Sequence, residues 1–483
     1  MRNNTVVVLI LSVILSINIL SISISSAPLE CLSLESGRNT LYVGGSGLGN
    51  YSRIQDAIDN ARSGYIIFVY NGTYYENVIV DKSLYLIGED EETTIIDGNE
   101  STSCVKIYAN GVTVSKFTIK NSGKDWSEAG INIQSSNNII SNNNIVSNNN
   151  DGICLFNSNN NEIRDNTISN NNEIGINLRS WCYDNIISKN TICFNDHAGI
   201  WFLESNYNTV LQNDVSSNNF SSIVVSDSSF NTLSDNLISY NNRSGIILAG
   251  MICGNNEVSG NHIRSNKDDG IYVYSSCNNL IKENDFISNN RNGLKLVSSV
   301  YYSSDYNLIY HNNFISNTFD AYDECSNTWD DGYPSGGNYW DNYSGIDENQ
   351  DGIGDVPYYI SGGNNSDYYP LMQPYGVDID PPVVEIVKPE NALYIRNKEM
   401  LPLRKPLIIG YIYIEVEVSD EESGINRVEF YIDGELKYNG TTEPYIYAWD
   451  KRTPFRFRHT IKIIAYDEAG NYASSEISVL KFF

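Results

Sequence analysis

The sequence has little positive charge, and histidine and methionine are scarce. Its 483 residues include 31 lysines and arginines against 59 aspartates and glutamates, a net charge of -28 at pH 7. A chain this acidic is not expected to bind nucleic acids or anionic membranes. It would also repel acidic polysaccharides unless a cation bridged them. Only four methionines occur, and the four histidines are far apart in the sequence: His197, His262, His311 and His459.

Cysteines are also too few and too scattered for a disulfide framework. The eight cysteines are spread over a large chain without the dense spacing of a disulfide-rich domain. Cys253 and Cys277 fall near the same corner of adjacent repeats, and one repeat spacing is within disulfide reach. This pair is the predicted candidate for a disulfide.

Only one long apolar run is present, and it lies at the start of the chain. The run Val6 to Leu20 follows Met1-Arg2 and precedes small residues up to Ala27, which is typical of a secretory signal over residues 1–26. The alternative is an uncleaved N-terminal anchor, the one membrane contact that the sequence offers. The protein is therefore expected to be secreted or displayed at the cell surface.

A short repeat dominates the middle of the sequence. A small residue, nearly always glycine, precedes an aliphatic residue with spacings of 22 to 25 residues. A fixed period of this size is the signature of a solenoid. The repeated pairs are Gly130-Ile131, Gly152-Ile153, Gly175-Ile176, Gly199-Ile200, Ser222-Ile223, Gly245-Ile246, Gly270-Ile271 and Gly293-Leu294.

Within each repeat, apolar and polar residues alternate as in short strands rather than helices. Leucine-rich repeats have a similar length but need a helical segment, so a parallel β-helix fits better. Eight rungs at about 4.8 Å would extend roughly 38 Å. The aligned apolar columns that should face a shared interior run from Ile131 to Leu294, Ile133 to Leu296, Ile140 to Ile309 and Ile145 to Phe314.

Asparagines recur at the corners of the predicted rungs. One column runs from Asn143 through Asn213 to Asn312, and two more lie five residues before and after it. Asparagine tolerates the left-handed backbone of a sharp corner, and its amide both donates and accepts. Identical amides stacked at one rung spacing are expected to bond as a ladder.

The segment before the repeats is expected to close one end of the solenoid. Ile54, Ala57, Ile58 and Ala61 would lie on one helical face, with Ser52 and Gln55 as a capping box. An open solenoid end exposes its apolar interior, so a terminal cap is needed. Residues 38–100 are interpreted as this cap and the first rungs.

Several motifs resemble secreted right-handed β-helix proteins of the NosD type, over about residues 40 to 375. The resemblance implies a right-handed, single-stranded parallel β-helix with its closing segment over 101–375, a fold shared with pectate lyases. It also implies a copper connection, because founding members assist maturation of a copper enzyme. Copper wants clustered His, Met or Cys, so a copper role does not follow from these residues. The motifs are Ile54-Gln55-Asp56-Ala57-Ile58, Asn71-Gly72-Thr73-Tyr74, Leu86-Ile87-Gly88, Thr94-Ile95-Ile96-Asp97-Gly98, Gly337-Asn338-Tyr339-Trp340-Asp341-Asn342-Tyr343, Asp351-Gly352-Ile353-Gly354-Asp355 and Asp367-Tyr368-Tyr369-Pro370-Leu371.

Past Pro381-Pro382 the asparagine repeat ends and the composition changes. Six or seven alternating segments with turn residues between them predict an antiparallel, immunoglobulin-like β-sandwich over 378–483. It resembles modules appended to prokaryotic surface proteins, which usually space or attach. The whole chain is therefore predicted to be all-β.

A loop near the end of the solenoid has the spacing of a calcium-binding turn. Asp347, Asn349, Asp351 and Asp355 place oxygen ligands around a glycine at the sixth position. Position twelve is Tyr358 instead of glutamate. A structural calcium ion and a simple Asp/Asn/Gly turn both remain open.

The outward residues that follow the repeated glycines are unexpectedly apolar and could form a sugar-binding groove. The other interpretation is that residues 298–375, the C-terminal module or a second copy of the chain covers this stripe. The predicted ligand contacts are Phe156, Trp201, Tyr272 and Tyr274, and the catalytic candidates beside them are His197, Arg243 and Asp268.

Three functions remain open on these residues. The first is a non-catalytic binding or structural role in the cell envelope, with a polysaccharide as the expected partner. The second is a carbohydrate-active enzyme, lyase or hydrolase, although glycoside hydrolysis needs two facing carboxylates and no complete set is recognisable. The third, implied only by the resemblance, is maturation of a copper enzyme.

Overall fold

The computed structural model describes residues 39–376, 381–420, 424–451, 457–468 and 471–482. The predicted signal over 1–26 lies outside these residues. Residues 39–376 form a coil of parallel strands, and the remaining described residues form a separate β-sandwich.

Three parallel sheets, here named A, B and C in the order in which each rung visits them, run along the coil. Sheet A contains Thr40–Val43, Ile66–Val69, Tyr85–Gly88, Thr113–Ser115, Ile139–Ser141, Glu162–Arg164, Ile186–Ser188, Thr209–Leu211, Thr232–Ser234, Glu257–Ser259, Leu280–Lys282 and Leu308–Tyr310. Sheet B contains Gly72–Tyr75, Thr94–Asp97, Thr118–Lys120, Asn144–Val146, Thr167–Ser169, Thr191–Cys193, Asp214–Ser216, Leu237–Ser239, His262–Arg264, Asp285–Ile287, Asn313–Ile315 and Tyr339–Trp340. Sheet C contains Val78–Val80, Val105–Ile107, Ala129–Ile133, Asp151–Phe156, Ile176–Arg179, Ile200–Leu203, Ile223–Ser226, Ile246–Ala249, Ile271–Tyr274, Asn292–Val297 and Phe319–Asp323.

The register confirms the parallel β-helix. Each strand pairs with its counterpart one rung away, as where Ile176 aligns with Ile200 and Leu178 with Phe202 in sheet C. Ile200 and Phe202 are fully buried, and the other members of the predicted apolar columns are buried with them in one continuous core. Full burial of one such side chain contributes about 1.5 to 3 kcal/mol.

The asparagine ladders are present at all three corners. Asn213 is 1 % exposed, and its Nδ2 donates to Asn236 Oδ1 at 3.0 Å. The same Nδ2 also donates to the carbonyls of Ile187 and Leu211. In turn, Asn213 Oδ1 accepts from both nitrogens of Asn190. Each amide therefore links its own rung to the rungs on either side.

The predicted left-handed backbone, however, belongs to the residue before each ladder asparagine. Gln212, which precedes Asn213, has φ 55°, and Asp235, which precedes Asn236, has φ 54°. The preceding residue makes the turn and points outward, which leaves the asparagine itself to point inward. The prediction that the ladder asparagines adopt the left-handed conformation was wrong by one position.

Replacing Asn213 by alanine is expected to lower the free energy of unfolding by roughly 1 to 3 kcal/mol, because buried carbonyls and amides lose their partner. Chemical denaturation followed by circular dichroism measures this. The control is Asn172→Ala, since Asn172 is exposed and makes no side-chain hydrogen bond within the described chain. If Asn213→Ala were as stable as the wild type, the asparagine ladder would not contribute to the stability of the fold.

The repeated glycines allow neighbouring rungs to approach closely. A Cβ built on Gly175 would lie 2.6 Å from the carbonyl oxygen of Gly199 and 2.7 Å from Ile192 Cγ2. Ser222 occupies the equivalent position in one rung, where its hydroxyl donates to the Val215 carbonyl at 2.7 Å. Glycine therefore recurs once per rung because the backbones of neighbouring rungs pack closely at this position.

The helix of the described chain, α1 (Ile54–Asn60), packs Ile54, Ala57 and Ile58 into the solenoid core. The predicted capping box was wrong, because Arg53 is the N-cap residue and makes no side-chain cap bond. The carboxylate of Glu76 instead accepts from the backbone nitrogens of Ile54 and Gln55, at 2.8 and 3.1 Å. A residue more than twenty positions away thus replaces the local motif.

Two buried tryptophans close the other end of the core. Trp340 stacks on Phe314 with ring centroids 4.3 Å apart, and Trp329 lies 5.8 Å from Trp340. Trp340 Nε1 donates to Asp367 at 2.9 Å, within the hairpin formed by Tyr358–Tyr359 and Ser366–Asp367. Burial raises the pKa of Asp367 to about 7 although backbone and indole N–H groups bond it. The closing motif therefore seals the last rung.

The C-terminal module is a β-sandwich with its own core. One sheet is antiparallel, but the other contains two parallel contacts, so the prediction of purely antiparallel strands was wrong. The small sheet contains Val383–Lys388, Ile412–Ser419 and Tyr445–Trp449. The large sheet contains Ala392–Ile395, Lys398–Pro402, Leu407–Ile409, Ile425–Ile432, Glu435–Gly440, Arg458–Asp467 and Tyr472–Phe482.

The predicted disulfide between Cys253 and Cys277 is absent, and every cysteine in the described residues is free. Cys253 is 2 % exposed and its thiol donates to the carbonyl of Val225 in the core. Cys277 is only partly buried and its sulfur accepts from Asn278. The two backbones are adjacent, but the side chains have different environments.

Candidate ligand-binding groove

Sheet C presents two outward columns between its inward apolar residues, because side chains alternate along each strand. The first column aligns Trp201, Val224, Ile247, Tyr272 and Lys295 on successive rungs. A second column carries Phe156, Leu203 and Tyr274, which are 45 %, 39 % and 38 % exposed. The first column lies nearer the corner that enters sheet C, and the second lies at the far end of the strands.

The corner column stacks through its backbone. It contains Glu173, His197, Phe220, Arg243, Asp268 and Arg291, and each backbone nitrogen donates to the preceding member's carbonyl at 3.0 to 3.4 Å. Residues separated by about 23 positions in sequence therefore form one continuous edge along sheet C.

One part of this edge is aromatic. His197 stacks on Phe220 at 4.6 Å and on Trp201 at 5.2 Å. Its Nδ1 is buried without a hydrogen-bond partner among the described residues. Burial lowers the pKa of His197, against the opposing field of Glu173. A neutral imidazole in an aromatic stack is suited to apolar contact rather than to proton transfer.

The next part of the edge is charged. Arg291 Nη1 donates to Asp268 Oδ1 at 2.9 Å. Asp269 is buried below, and its Oδ1 accepts from the backbone nitrogen and Nδ2 of Asn292, at 3.0 and 2.6 Å. Arg243 lies over the Phe220 ring, 5.7 Å from the centroid.

Tyr272 lies at the floor between these groups. Its ring stacks beside that of Tyr274 at 6.2 Å, and Lys295 Nζ lies 5.8 Å from its centroid. Burial, followed by the fields of Tyr274 and Asp269, raises the pKa of Tyr272. The phenol therefore stays protonated and can donate a hydrogen bond.

These residues enclose an open groove of about 260 Å³. Its walls come entirely from rungs of the solenoid, and residues 298–376 do not contribute to them. The lining residues are Phe220, Arg243, Ser244, Ile247, Asp268, Asp269, Tyr272, Arg291 and Lys295.

The predicted site residues are only partly brought together. Arg243, Asp268 and Tyr272 line the groove, and Tyr274 lies next to Tyr272. His197 and Trp201 form the aromatic stack beyond Phe220, and Phe156 lies farther along sheet C. Lys295 was missed, although its place two residues after Gly293 matches that of Tyr272 after Gly270.

A buried ion pair near Phe156 was also missed. Asp151 Oδ2 accepts from Arg179 Nη2 at 2.7 Å and from Asn177 Nδ2 at 2.9 Å. Burial raises the pKa of Asp151 to about 6, against the opposing field of Arg179. Arg179 also donates to the carbonyl of Trp126, whose loop crosses this end of sheet C. The single sequence signal is the place of Asp151 directly before Gly152.

In the predicted calcium loop, backbone N–H groups of the loop itself donate to the carboxylate oxygens. Asp347 Oδ1 accepts from the Gln350 nitrogen at 2.7 Å and Oδ2 from the Gly352 nitrogen at 2.9 Å. Asp355 accepts from the Glu348 nitrogen, and Asn349 donates to Asp351. Among the described residues no group of three or more His, Cys, Asp or Glu side chains is placed for a metal ion. Calcium binding by this loop stays a prediction.

Comparison with known families gives three matches. Residues 197–345 match the family described as periplasmic copper-binding protein (NosD), and residues 86–238 match the right-handed β-helix region. Residues 382–463 match the bacterial Ig domain. None of the curated proteins compared with the chain matches it.

Solved structures with a similar fold include several enzymes. The mannuronan C-5 epimerase AlgE6 A-module of Azotobacter vinelandii is 15 % identical, with a TM-score of 0.43, covering 57 % of this chain and 92 % of its own. The periplasmic alginate epimerase AlgG is 14 % identical, with a TM-score of 0.37 and coverages of 58 % and 82 %. The catalytic domain of a GH87 alpha-1,3-glucanase is 13 % identical, with a TM-score of 0.42 and coverages of 62 % and 69 %.

Within the described residues, no helix combines the length and the apolar character that crossing a bilayer requires.

Proposed function

The chain joins a NosD-type right-handed β-helix to a bacterial Ig-like module, and we propose that it is an exported envelope protein that binds polysaccharide without cleaving it. The solenoid supplies the binding surface, and the Ig-like module spaces or attaches it. The NosD family is described as periplasmic, which supports an extracytoplasmic location.

The observation that carries this proposal is the groove around Tyr272. An aromatic floor lies beside hydrogen-bonding groups, the Asp268 and Arg291 pair on one side and the Lys295 ammonium on the other. Sugars present both apolar C–H faces and hydroxyl groups, and sites of this mixed kind suit them. Strands of sheet C hold Tyr272 and Lys295, and the stacked corner holds Asp268 and Arg291, so little ordering is needed on binding.

Hydrolysis fits the groove less well. It needs two carboxyl groups facing each other about 5 to 10 Å apart across the sugar. Asp268 and Asp269 are adjacent in the chain, and one is ion-paired at the surface while the other is buried against Asn292. A carbohydrate-active enzyme stays the second candidate because Arg243 and Asp268 do line the same groove.

Replacing Tyr272 by alanine is expected to weaken binding to a retained glycan by tenfold or more, as for an aromatic anchor in a pocket. The measurement is a glycan array followed by titration calorimetry on the full chain. Tyr75→Ala is the matched control, because Tyr75 is 71 % exposed on the second sheet, sheet B, at the other end of the solenoid.

Retention of a glycan without new reducing ends or unsaturated products supports the binding role. If the wild-type chain releases such products and Asp268→Asn abolishes their release, the protein is a carbohydrate-active enzyme and not a binding protein. Retention of no glycan by the wild-type chain would overturn both.

Copper maturation, which the family description suggests, does not fit these residues. His262 Nδ1 pairs with Asp285 at 2.7 Å, and His311 Nε2 contacts the Ser335 carbonyl at 2.8 Å. His197 lies in the aromatic stack, and His459 is in the C-terminal module beside Asp433. Each histidine has a separate environment, so copper would find no cluster of histidines among the described residues.

A further inference from the structure

Two cations in the groove have no acidic partner in the described residues. Arg243 lies over the Phe220 ring and forms no ion pair there. Lys295 Nζ lies between two rings, 5.8 Å from the centroid of Tyr272 and 5.7 Å from that of Tyr322, and also forms no ion pair.

The acidic groups of the groove are occupied by the protein itself. Asp268 accepts from Arg291, and Asp269 accepts from Asn292. Three cationic side chains line the groove against two acidic ones, so positive charge is in excess there. The guanidinium of Arg243 and the ammonium of Lys295 are the donors that remain for a ligand.

We propose that the groove selects anionic sugar polymers, an inference that rests on the polysaccharide-binding role proposed above. A carboxylate or sulfate group binds Arg243 or Lys295 while a sugar ring lies against Tyr272. Arg243 and Lys295 stand two rungs apart, roughly 10 Å along the solenoid axis at the usual strand spacing. That separation favours a polymer with charge on successive units over a single acidic sugar.

The overall negative charge does not prevent this. Exposed charges farther away than the Debye length, about 8 Å at physiological salt, are largely screened. Within the groove, Asp268 is paired with Arg291, which leaves Arg243 and Lys295 beside aromatic rings as the charges without an ion pair. Binding through these two cations is therefore expected to weaken as the salt concentration rises. If long-range repulsion dominated instead, salt would screen the repulsion and binding would strengthen.

The test compares three probes on the full chain, each with and without EDTA: polygalacturonate, dextran sulfate and neutral dextran. Lys295→Gln and Arg243→Gln are each expected to weaken binding of the anionic polymers by about tenfold, the loss of one charge-assisted hydrogen bond. Lys189→Gln is the control, since it makes the same change in charge at an exposed corner between sheets A and B.

Binding of either anionic polymer but not dextran, weakened by the two groove variants alone, supports the inference. The polymer that binds more tightly identifies the anion. Equal binding of dextran, unaffected by the variants, would overturn the selectivity while leaving the proposed function intact. Loss of binding when EDTA is added would instead show that a bridging cation recognises the polymer. An equal effect of Lys189→Gln would show that the polymer does not bind in the groove.

Discussion

Replacing Trp340 by alanine is expected to lower the free energy of unfolding of the solenoid by about 3 to 5 kcal/mol. Trp340 is 1 % exposed and stacks between Phe314, at 4.3 Å, and Tyr358, at 4.2 Å. Removing the indole opens the last rung to water and takes away one of the three N–H donors to Asp367. Urea denaturation followed by far-ultraviolet circular dichroism measures the loss.

Two further variants separate packing from hydrogen bonding at this end. Trp340→Phe keeps an aromatic ring on Phe314 but removes the indole N–H, so a smaller loss is expected. Trp126→Ala deletes an indole that is 73 % exposed and should change stability by less than about 1 kcal/mol. Equal losses for Trp340→Ala and Trp126→Ala would show that the closing motif does not seal the core.

The repeating part of the fold was predictable because each rung obeys the same local rules. The column through Ile131 and Ile153 had to be buried, since a glycine and an alternating strand placed it identically in every repeat. Periodicity alone could not say which corner residue turns left-handed. Gln212 and Asn213 repeat with the same period, and only the side-chain bonds inside the core distinguish them.

Contacts that occur only once in the solenoid could not be predicted from the repeat. Glu76 caps α1 from a different rung, a contact that a local capping motif cannot reveal. In the groove, Arg243 and Asp268 were recognisable because both stand two residues before the repeated glycine. Arg179 reaches Asp151 only because the rungs stack, so nothing in the sequence around Arg179 indicates the pair.

Removing Arg179 from its pair with Asp151 should make the free energy of unfolding depend strongly on pH. Arg179→Met is expected to cost about 3 to 5 kcal/mol at pH 8, because it leaves the buried Asp151 carboxylate without its cation. Burial already raises the pKa of Asp151 to about 6, above roughly 3.9 in an unfolded chain. Loss of Arg179 removes a field that lowers this pKa, so it should rise further.

The sign follows from proton binding. An acid whose pKa is raised on folding binds more protons in the folded state, so stability falls as pH rises from about 4 through the folded pKa. The deficit of Arg179→Met relative to the wild type should therefore be largest at pH 8 and shrink toward pH 4. Urea titrations at several pH values measure it, with Asp151→Asn/Arg179→Met as the control that lacks the carboxyl. A deficit that is the same at every pH would mean that the arginine acts through packing, against Trp126, rather than through charge.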